Sequence, residues 1–292
     1  MKILLFGKTG QLGWELERTL AALGSVHALG QTDLDLQNLT TLKQIILTTK
    51  PDVIVNASAY TAVDRAEQEK EIAMRVNAEA PGVMAQAAKE LRAVFLHYST
   101  DYVFDGKKNS AYTEQDATNP LNVYGQSKLN GEQAAAESRG AHVILRTSWV
   151  YSLRGDGFVS KVLRWARSQE NLKIVSDQVG SPTWARALAE TTALMLAHSA
   201  PSPYDYFSER VGVYHLGGLG SVSRLDFAQE ILRLDPHKEE QICKRLEPAL
   251  TADFPTPALR PLTTTLDCSR FSATFGVSLP TWQEALRLAM GD

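Results

Sequence analysis

The sequence predicts an α/β fold, a Rossmann-type doubly wound parallel sheet followed by a smaller C-terminal lobe. Three observations predict it. Short apolar runs alternate with amphipathic stretches through the first 150 residues. Glycines gather where the first apolar run gives way to the first amphipathic one. Beyond about residue 150 the alternation loosens into a proline-punctuated pattern.

Taken in order, residues 2–6 read as a buried strand, and 11–23 as a helix with apolar residues at helical spacing. A second strand follows at 26–29 and a second helix at 39–48. After Pro51-Asp52 comes a third strand at 53–55. A long helix is expected over 71–92, with Pro81 kinking or breaking it. Residues 93–98 form a fourth strand, 122–138 a helix, and 142–145 a fifth strand. Such alternation implies parallel strands covered by helices on both faces, with ligands at the carboxyl ends of the strands. Helices at 185–197, 224–234 and 281–290 alternate with short extended pieces that return, in part, to the main sheet. The expected division is 1–150 for a dinucleotide-binding domain and 151–292 mainly for a smaller lobe.

The composition narrows the function. With 44% hydrophobic and 22% charged residues the 292-residue chain is an ordinary globular sequence. A net charge of -3 and a pI near 6.1 give no basic field for nucleic acid or an anionic membrane. No apolar run approaches the roughly 18 residues a bilayer span needs. The N-terminal apolar run is too short for a signal-peptide core. A cytoplasmic protein is expected. Its two cysteines, Cys243 and Cys268, predict reduced thiols. The six histidines show no metal-ligand spacing, so no metal site is expected from them. His97 reads as a packed strand residue rather than a base.

Gly7, Gly10 and Gly13 lie at the first strand–helix turn. A dinucleotide pyrophosphate needs that turn glycine-rich, so that backbone N–H groups can approach it at a helix N-terminus. A nucleotide-triphosphate loop would need a further glycine where the chain has Lys2. The second strand ends in Leu29-Gly30-Gln31, without the acid that reads a ribose 2′-hydroxyl. Asp35 stands either near the adenine or as a turn- or helix-capping aspartate. After the third strand, Asn56-Ala57-Ser58-Ala59-Tyr60 offers small residues against which a cofactor can lie, or against which the next helix packs tightly. The fourth strand ends in Ser99-Thr100, and either hydroxyl could bond a developing alkoxide.

Tyr124 and Lys128 are four apart in a predicted helix and share a face. An ammonium beside the phenol is expected to lower its pKa toward working pH. A phenol so placed can deliver a proton to a carbonyl oxygen as hydride reaches the carbon.

Together these residues resemble the extended short-chain dehydrogenase/reductases. Longer blocks resemble one group among them, the dTDP-4-dehydrorhamnose reductases. The blocks are residues 7–14, 97–104, 120–125, 146–151 and 177–183, and Arg260-Pro261 followed by Leu266-Asp267. The resemblance covers nearly the whole chain. It implies NADPH- or NADH-dependent reduction of the C4 ketone of a dTDP-linked 6-deoxyhexose, and a lobe that binds the nucleotide sugar. It implies Tyr124, Lys128 and Thr100 as catalytic residues. Cofactor contacts are implied at Gly7, Gly10, Gln11, Leu12, Asp35, Leu36, Ala57, Ala59, Tyr60, Thr61, Tyr98, Tyr124 and Lys128. Sugar contacts are implied at Thr100, Asp101 and Trp149, although Asp101 also suits a loop cap and Trp149 a core position.

Some relatives dimerise around Mg²⁺ held by glutamates. Glu15 matches one of those positions, whereas the other two are occupied by Arg186 and Gln283. A lone carboxylate beside a guanidinium predicts an ion pair in place of an Mg²⁺ site, hence a monomer or a metal-independent weak oligomer. Two rivals stay open at this point. An epimerase of related nucleotide sugars would keep its NAD bound. A regulatory subunit of the same fold would have no need of Tyr124 and Lys128.

Overall fold

In the computed structural model, which describes residues 1–291, six parallel strands form the central sheet. They are β1 (Lys2–Phe6), β2 (Ser25–Leu29), β3 (Val53–Asn56), β4 (Val94–Thr100), β5 (His142–Thr147) and a sixth strand, Gly212–His215. From one edge the order is Gly212–His215, β5, β4, β3, β1, β2. Strand β1, next to the edge strand β2, pairs Ile3 with Val26 on one side and with Val53 on the other. Strands β3, β4 and β5 are buried along their whole length, as expected for strands covered on both faces. The chain therefore runs outward from β1 in two directions, leaving a switch point between β1 and β3, where such sheets bind ligands.

The helices of the first half are α1 (Gln11–Leu20), α2 (Leu39–Thr49), α3 (Val63–Ala66), α4 (Lys70–Met74), α5 (Ala80–Glu90) and α6 (Val123–Glu137). One core layer joins Leu12, Leu16 and Leu20 of α1 to the sheet and to Leu188, Met195 and Phe271 from the second half of the chain. The opposite layer joins Leu42 and Ile46 of α2 to Met84 and Ala88 of α5 and to Phe6, Ile54 and Phe95 of the sheet. A third core gathers Tyr151, Val159, Val162, Phe227, Ile231, Trp282 and Leu286 in the smaller lobe.

The expected long helix over 71–92 is divided. Residues Arg75–Glu79 form a π turn between α4 and α5. Pro81 sits in the first turn of α5, where it has no N–H for the carbonyl of Asn77 four residues back, inside the π turn. The distortion thus falls in the turn just before Pro81, where a proline removes the helical bond, as the expected kink or break. Four helices had no counterpart in the sequence reading: Val63–Ala66, Phe158–Ala166, Pro203–Ser208 and Ser269–Phe275. Short two-strand ribbons pair Asn171–Val175 with Arg245–Ala249 and Val150–Tyr151 with Thr183–Trp184. Both cysteines are free thiols. No helix among the described residues is long and apolar enough to cross a membrane.

Candidate active site

A cleft of ≈ 1270 Å³ opens at the carboxyl ends of the strands. It is lined by Gly7, Gly10, Gln11, Leu12, Asp35, Leu36, Ala57, Ala59, Tyr60, Thr61, Tyr98, Thr100, Asp101, Tyr124, Lys128 and Trp149, whereas Gly13 packs against the Gly7 backbone instead. At its base Gly7 has φ 95, and a Cβ there would stand 2.8 Å from the backbone of Ala57 and Ser58. Only glycine fits that turn. It delivers the chain into α1, whose N-cap Gly10 supplies no side-chain cap. The first N–H groups of α1 are thus left for a ligand, and the helix dipole favours an anion there.

At the end of β2, Gly30 N–H donates to Asp33 Oδ2 at 2.8 Å, and Asp33 pairs with Lys8 Nζ at 2.7 Å. Lys8 therefore lies beside the position where an acid would read the ribose. A Cβ on Gly30 would meet only flexible side chains, Thr9 Cγ2 at 3.0 Å and Lys8 Cγ at 3.4 Å. Asp35 accepts from Gln37 N at 2.9 Å, so it makes the turn bond expected of a loop aspartate while lining the cleft.

The π turn has a task that sequence reasoning missed. It aims Asn77 at the loop after β3. Asn77 Oδ1 accepts from Tyr60 N at 2.8 Å, and its Nδ2 donates to Tyr60 O at 3.0 Å and to Ser127 Oγ of α6 at 2.9 Å. One buried amide thus latches the Ala59-Tyr60-Thr61 loop to the helix that carries Tyr124. The signal available in the sequence was an asparagine at a position that helical spacing buries.

Asn122 caps α6, its Oδ1 accepting from Gly125 N at 2.8 Å. This start places Tyr124 in the first turn and Lys128 one turn later. Of the two candidate hydroxyls on β4, Ser99 is engaged by Glu132 at 2.5 Å, inside a buried pair in which Arg146 Nη2 donates to Glu132 Oε2 at 2.6 Å. Thr100 is the one that neighbours Tyr124, and its hydroxyl donates to Asp101 Oδ1 at 3.1 Å.

The expected electrostatics require correction. Burial pushes the Tyr124 phenol above its ordinary value, and the neighbouring Thr100 hydroxyl offsets this only in part. Lys128 does not lower it. The Lys128 nitrogen instead donates to Tyr98 O at 2.7 Å and lies 3.2 Å from His97 Nε2. Burial, opposed by the nearby Glu132 carboxylate, brings Lys128 itself down to about 8. The spacing put both side chains on one face but carried no information on desolvation, which dominates here.

Asp101 is buried and does not cap the following turn. Thr100 does so, accepting from Tyr102 N at 3.2 Å. The Asp101 carboxylate accepts from Ser148 at 2.8 Å, Thr264 at 2.5 Å and Thr100 at 3.1 Å, tying β4 to the end of β5 and to the smaller lobe. Trp149 follows β5 with φ 44, a left-handed conformation costing about 1–2 kcal/mol for a non-glycine residue. Its indole rests against Gly180, where a Cβ would come within 2.6 Å of Trp149 Cε2. The Arg224 guanidinium lies 3.6 Å over the same ring. Burial lowers Arg224 to about 10, and among the described residues its guanidinium has no hydrogen-bond partner. Arg224, like Asn77, was not singled out in the sequence. Nearby, Thr147 Oγ1 and Gln11 Oε1 are buried without partners, and both residues line the cleft.

The expected Glu15–Arg186 pair is not formed. Arg186 Nε donates to Glu190 Oε1 at 2.9 Å, one helical turn away. Burial raises Glu15 and Arg186 opposes that rise, while Glu190 adds to it. Glu15 therefore does not stand alone as a carboxylate on this face. Among the described residues no three ligand-type side chains close around it, and the one such cluster, His237, Glu239 and Glu240, is exposed.

A glycine cradle at the switch point and a phenol one helical turn from a buried lysine define a nicotinamide-dependent oxidoreductase of the short-chain dehydrogenase/reductase class. Comparison with known proteins places it more closely. The family described as RmlD substrate binding domain matches residues 1–292, and the chain belongs to that family. It is 45% identical to a dTDP-4-dehydrorhamnose reductase of Burkholderia thailandensis, over 100% of this chain and 99% of that protein. It is 41% identical to a dTDP-4-dehydrorhamnose reductase of Escherichia coli K12, over 100% of this chain and 98% of that protein. Among solved structures it resembles a dTDP-4-dehydrorhamnose reductase of Clostridium acetobutylicum, with TM-score 0.90 and 34% identity over 99% and 98% of the two chains. The Bacillus anthracis dTDP-4-dehydrorhamnose reductase in complex with NADP gives TM-score 0.88 and 30% identity over 99% and 98%.

Proposed function

We propose that this chain reduces the C4 ketone of dTDP-4-dehydro-L-rhamnose to give dTDP-L-rhamnose, with NADPH or NADH as reductant. The observation that carries the reading is one continuous cleft. A dinucleotide cradle stands at its base, Tyr124 and Thr100 at its middle, and the Trp149 indole at its far wall. The cradle fits the cofactor. Gly7 leaves room for a pyrophosphate, the first turn of α1 offers unpaired N–H groups, and the buried Gln11 and Thr147 oxygens lack partners.

When bound, the nicotinamide supplies the hydride. The other roles belong to the chain. Tyr124, kept un-ionised by burial, gives its proton to the sugar O4 while Thr100 holds the phenol in line. Lys128 holds the nicotinamide ribose. Asp35 and Leu36 flank the adenosine, and Ala57, Ala59, Tyr60 and Thr61 form the wall latched by Asn77. Trp149 packs on the hexose, and Thr100 and Asp101 orient it. In this reading residues 1–150 bind the dinucleotide and 151–292 mainly the sugar nucleotide.

The test is direct. Purified protein with dTDP-4-dehydro-L-rhamnose and NADPH should consume the reductant, and NMR should identify the product as dTDP-L-rhamnose. Reductant left unconsumed, or a product of different ring configuration, would overturn the assignment.

A further inference from the structure

His97 was read from the sequence as a packed strand residue, and it is one. It is fully buried on β4 and stacks on Phe95 with ring centroids 5.7 Å apart. Its two ring nitrogens are nevertheless both engaged. His97 Nδ1 lies 3.0 Å from Asn56 Nδ2, and Nε2 lies 3.2 Å from Lys128 Nζ.

The hydrogens in this chain can be assigned by elimination. Asn56 Oδ1 faces the Ser58 backbone N at 3.1 Å, and a backbone N–H can only donate. The Ser58 hydroxyl meets the same oxygen at 2.5 Å. The Asn56 amide is therefore fixed, with its NH₂ toward His97, and Nδ1 must accept. Burial together with the neighbouring Lys128 holds His97 well below the usual imidazole range, so the ring is neutral. A neutral ring that accepts at Nδ1 carries its proton on Nε2. That N–H points at the Lys128 nitrogen, and an ammonium has no lone pair with which to accept it.

We infer that His97 is a positioning residue acting through Lys128: locked by Asn56 as the Nε2–H tautomer, it donates to the lysine nitrogen and favours the uncharged amine. In that state Lys128 accepts from His97, donates to Tyr98 O at 2.7 Å, and keeps a second N–H for the cleft. Each time Lys128 takes up a proton it gives up the bond from His97. The other groups around the pair do not cancel this. Glu132 on α6 favours the ammonium, but its carboxylate is already committed to Arg146 of β5 and Ser99 of β4. Asn56 on β3 is neutral, as are the buried Tyr98 phenol and the half-buried Tyr124 phenol. Burial by itself already lowers Lys128 to about 8, and the His97 donor acts in the same direction. The inference rests on the reading above for its catalytic consequence, a lysine that exchanges its proton near working pH.

Two measurements test it. The first uses the unaltered protein with ¹⁵N-labelled histidine and requires no substrate. The His97 ring should show a protonated Nε2 and an unprotonated Nδ1, and the reverse tautomer would overturn the inference. The second is the pH profile of kcat/KM in His97→Gln, which offers Lys128 a carbonyl acceptor in place of a donor. The alkaline limb set by Lys128 should move up by at least about one pH unit, a tenfold change in proton affinity. A limb that stays in place while activity falls would mean that His97 is only a packing residue. If the variant does not fold, the tautomer decides. Failure of the sugar reaction leaves the tautomer measurement intact, so the two readings fail separately.

Discussion

At the scale of single residues, the acid of the proposed reaction is made by burial and not by its lysine neighbour. Tyr124 stands above its ordinary pKa, so it carries its proton throughout the neutral range and is ready to donate it. Tyr124→Phe should lower kcat by more than about a hundredfold while the NADPH Kd changes little; near wild-type turnover would remove Tyr124 from the mechanism. Lys128 gives a prediction of opposite flavour. Its pKa falls from 10.5 in the unfolded chain to about 8 in the fold. Below pH 8 both states hold the proton and the fold carries the full cost of a buried charge. As pH rises from 8 toward 10.5 the folded protein sheds the proton first and that cost is relieved, by at most about 1.4 kcal/mol per pH unit. Lys128→Met should therefore be at least as stable as the parent to urea at pH 7 although it is inactive, and its advantage should shrink by pH 10. An advantage that is constant across this range would show that Lys128 is not buried as a charge. The Tyr124–Lys128 spacing was legible in the sequence because helical geometry is local. The direction of the phenol's shift was not, because desolvation depends on what the rest of the chain lays over the site.

Elements tell the same story one level up. Strands β1 to β5 and helices α1, α2 and α6 could be read from apolar runs, periodicity and glycine placement. The sixth strand, Gly212–His215, was anticipated only as an extended piece returning to the sheet. It is four residues long and acquires its strand character from pairing with β5, a contact about seventy residues away in sequence. The π form of the turn at Arg75–Glu79 was also hidden, since proline at 81 announces a distortion of the preceding turn but not which form it takes. Its product is the Asn77 latch. Asn77→Ala leaves the Tyr60 backbone N–H and C=O and the Ser127 hydroxyl without that partner inside the fold. It should cost about 1–3 kcal/mol in urea unfolding and weaken NADPH binding measured by fluorescence titration. Unchanged cofactor affinity in the destabilised variant would mean that the loop after β3 is not part of the cofactor wall.

At the scale of the whole molecule, the sheet brings the turns after β1, β2, β3, β4 and β5 to one edge, and the smaller lobe closes the cleft through Asp101–Thr264 and the Trp149–Arg224 stack. The cofactor preference belongs to this arrangement. Gly30 removes the repulsion that an acid would exert on a 2′-phosphate, and Lys8 stands beside it. NADPH should be used at least as well as NADH, and Gly30→Asp should shift the kcat/KM ratio toward NADH; a native preference for NADH above roughly tenfold, about 1.4 kcal/mol, would sink this account of the β2 turn. The central claim, that one cleft passes hydride to the sugar C4 while Tyr124 supplies the proton, is tested most directly by isotope. NADPH carrying deuterium at the nicotinamide C4 should deliver it to C4 of the sugar, seen by NMR, with oxidised cofactor released in equal amount. Deuterium at any other carbon, or label retained on a cofactor that never leaves the protein, would contradict it.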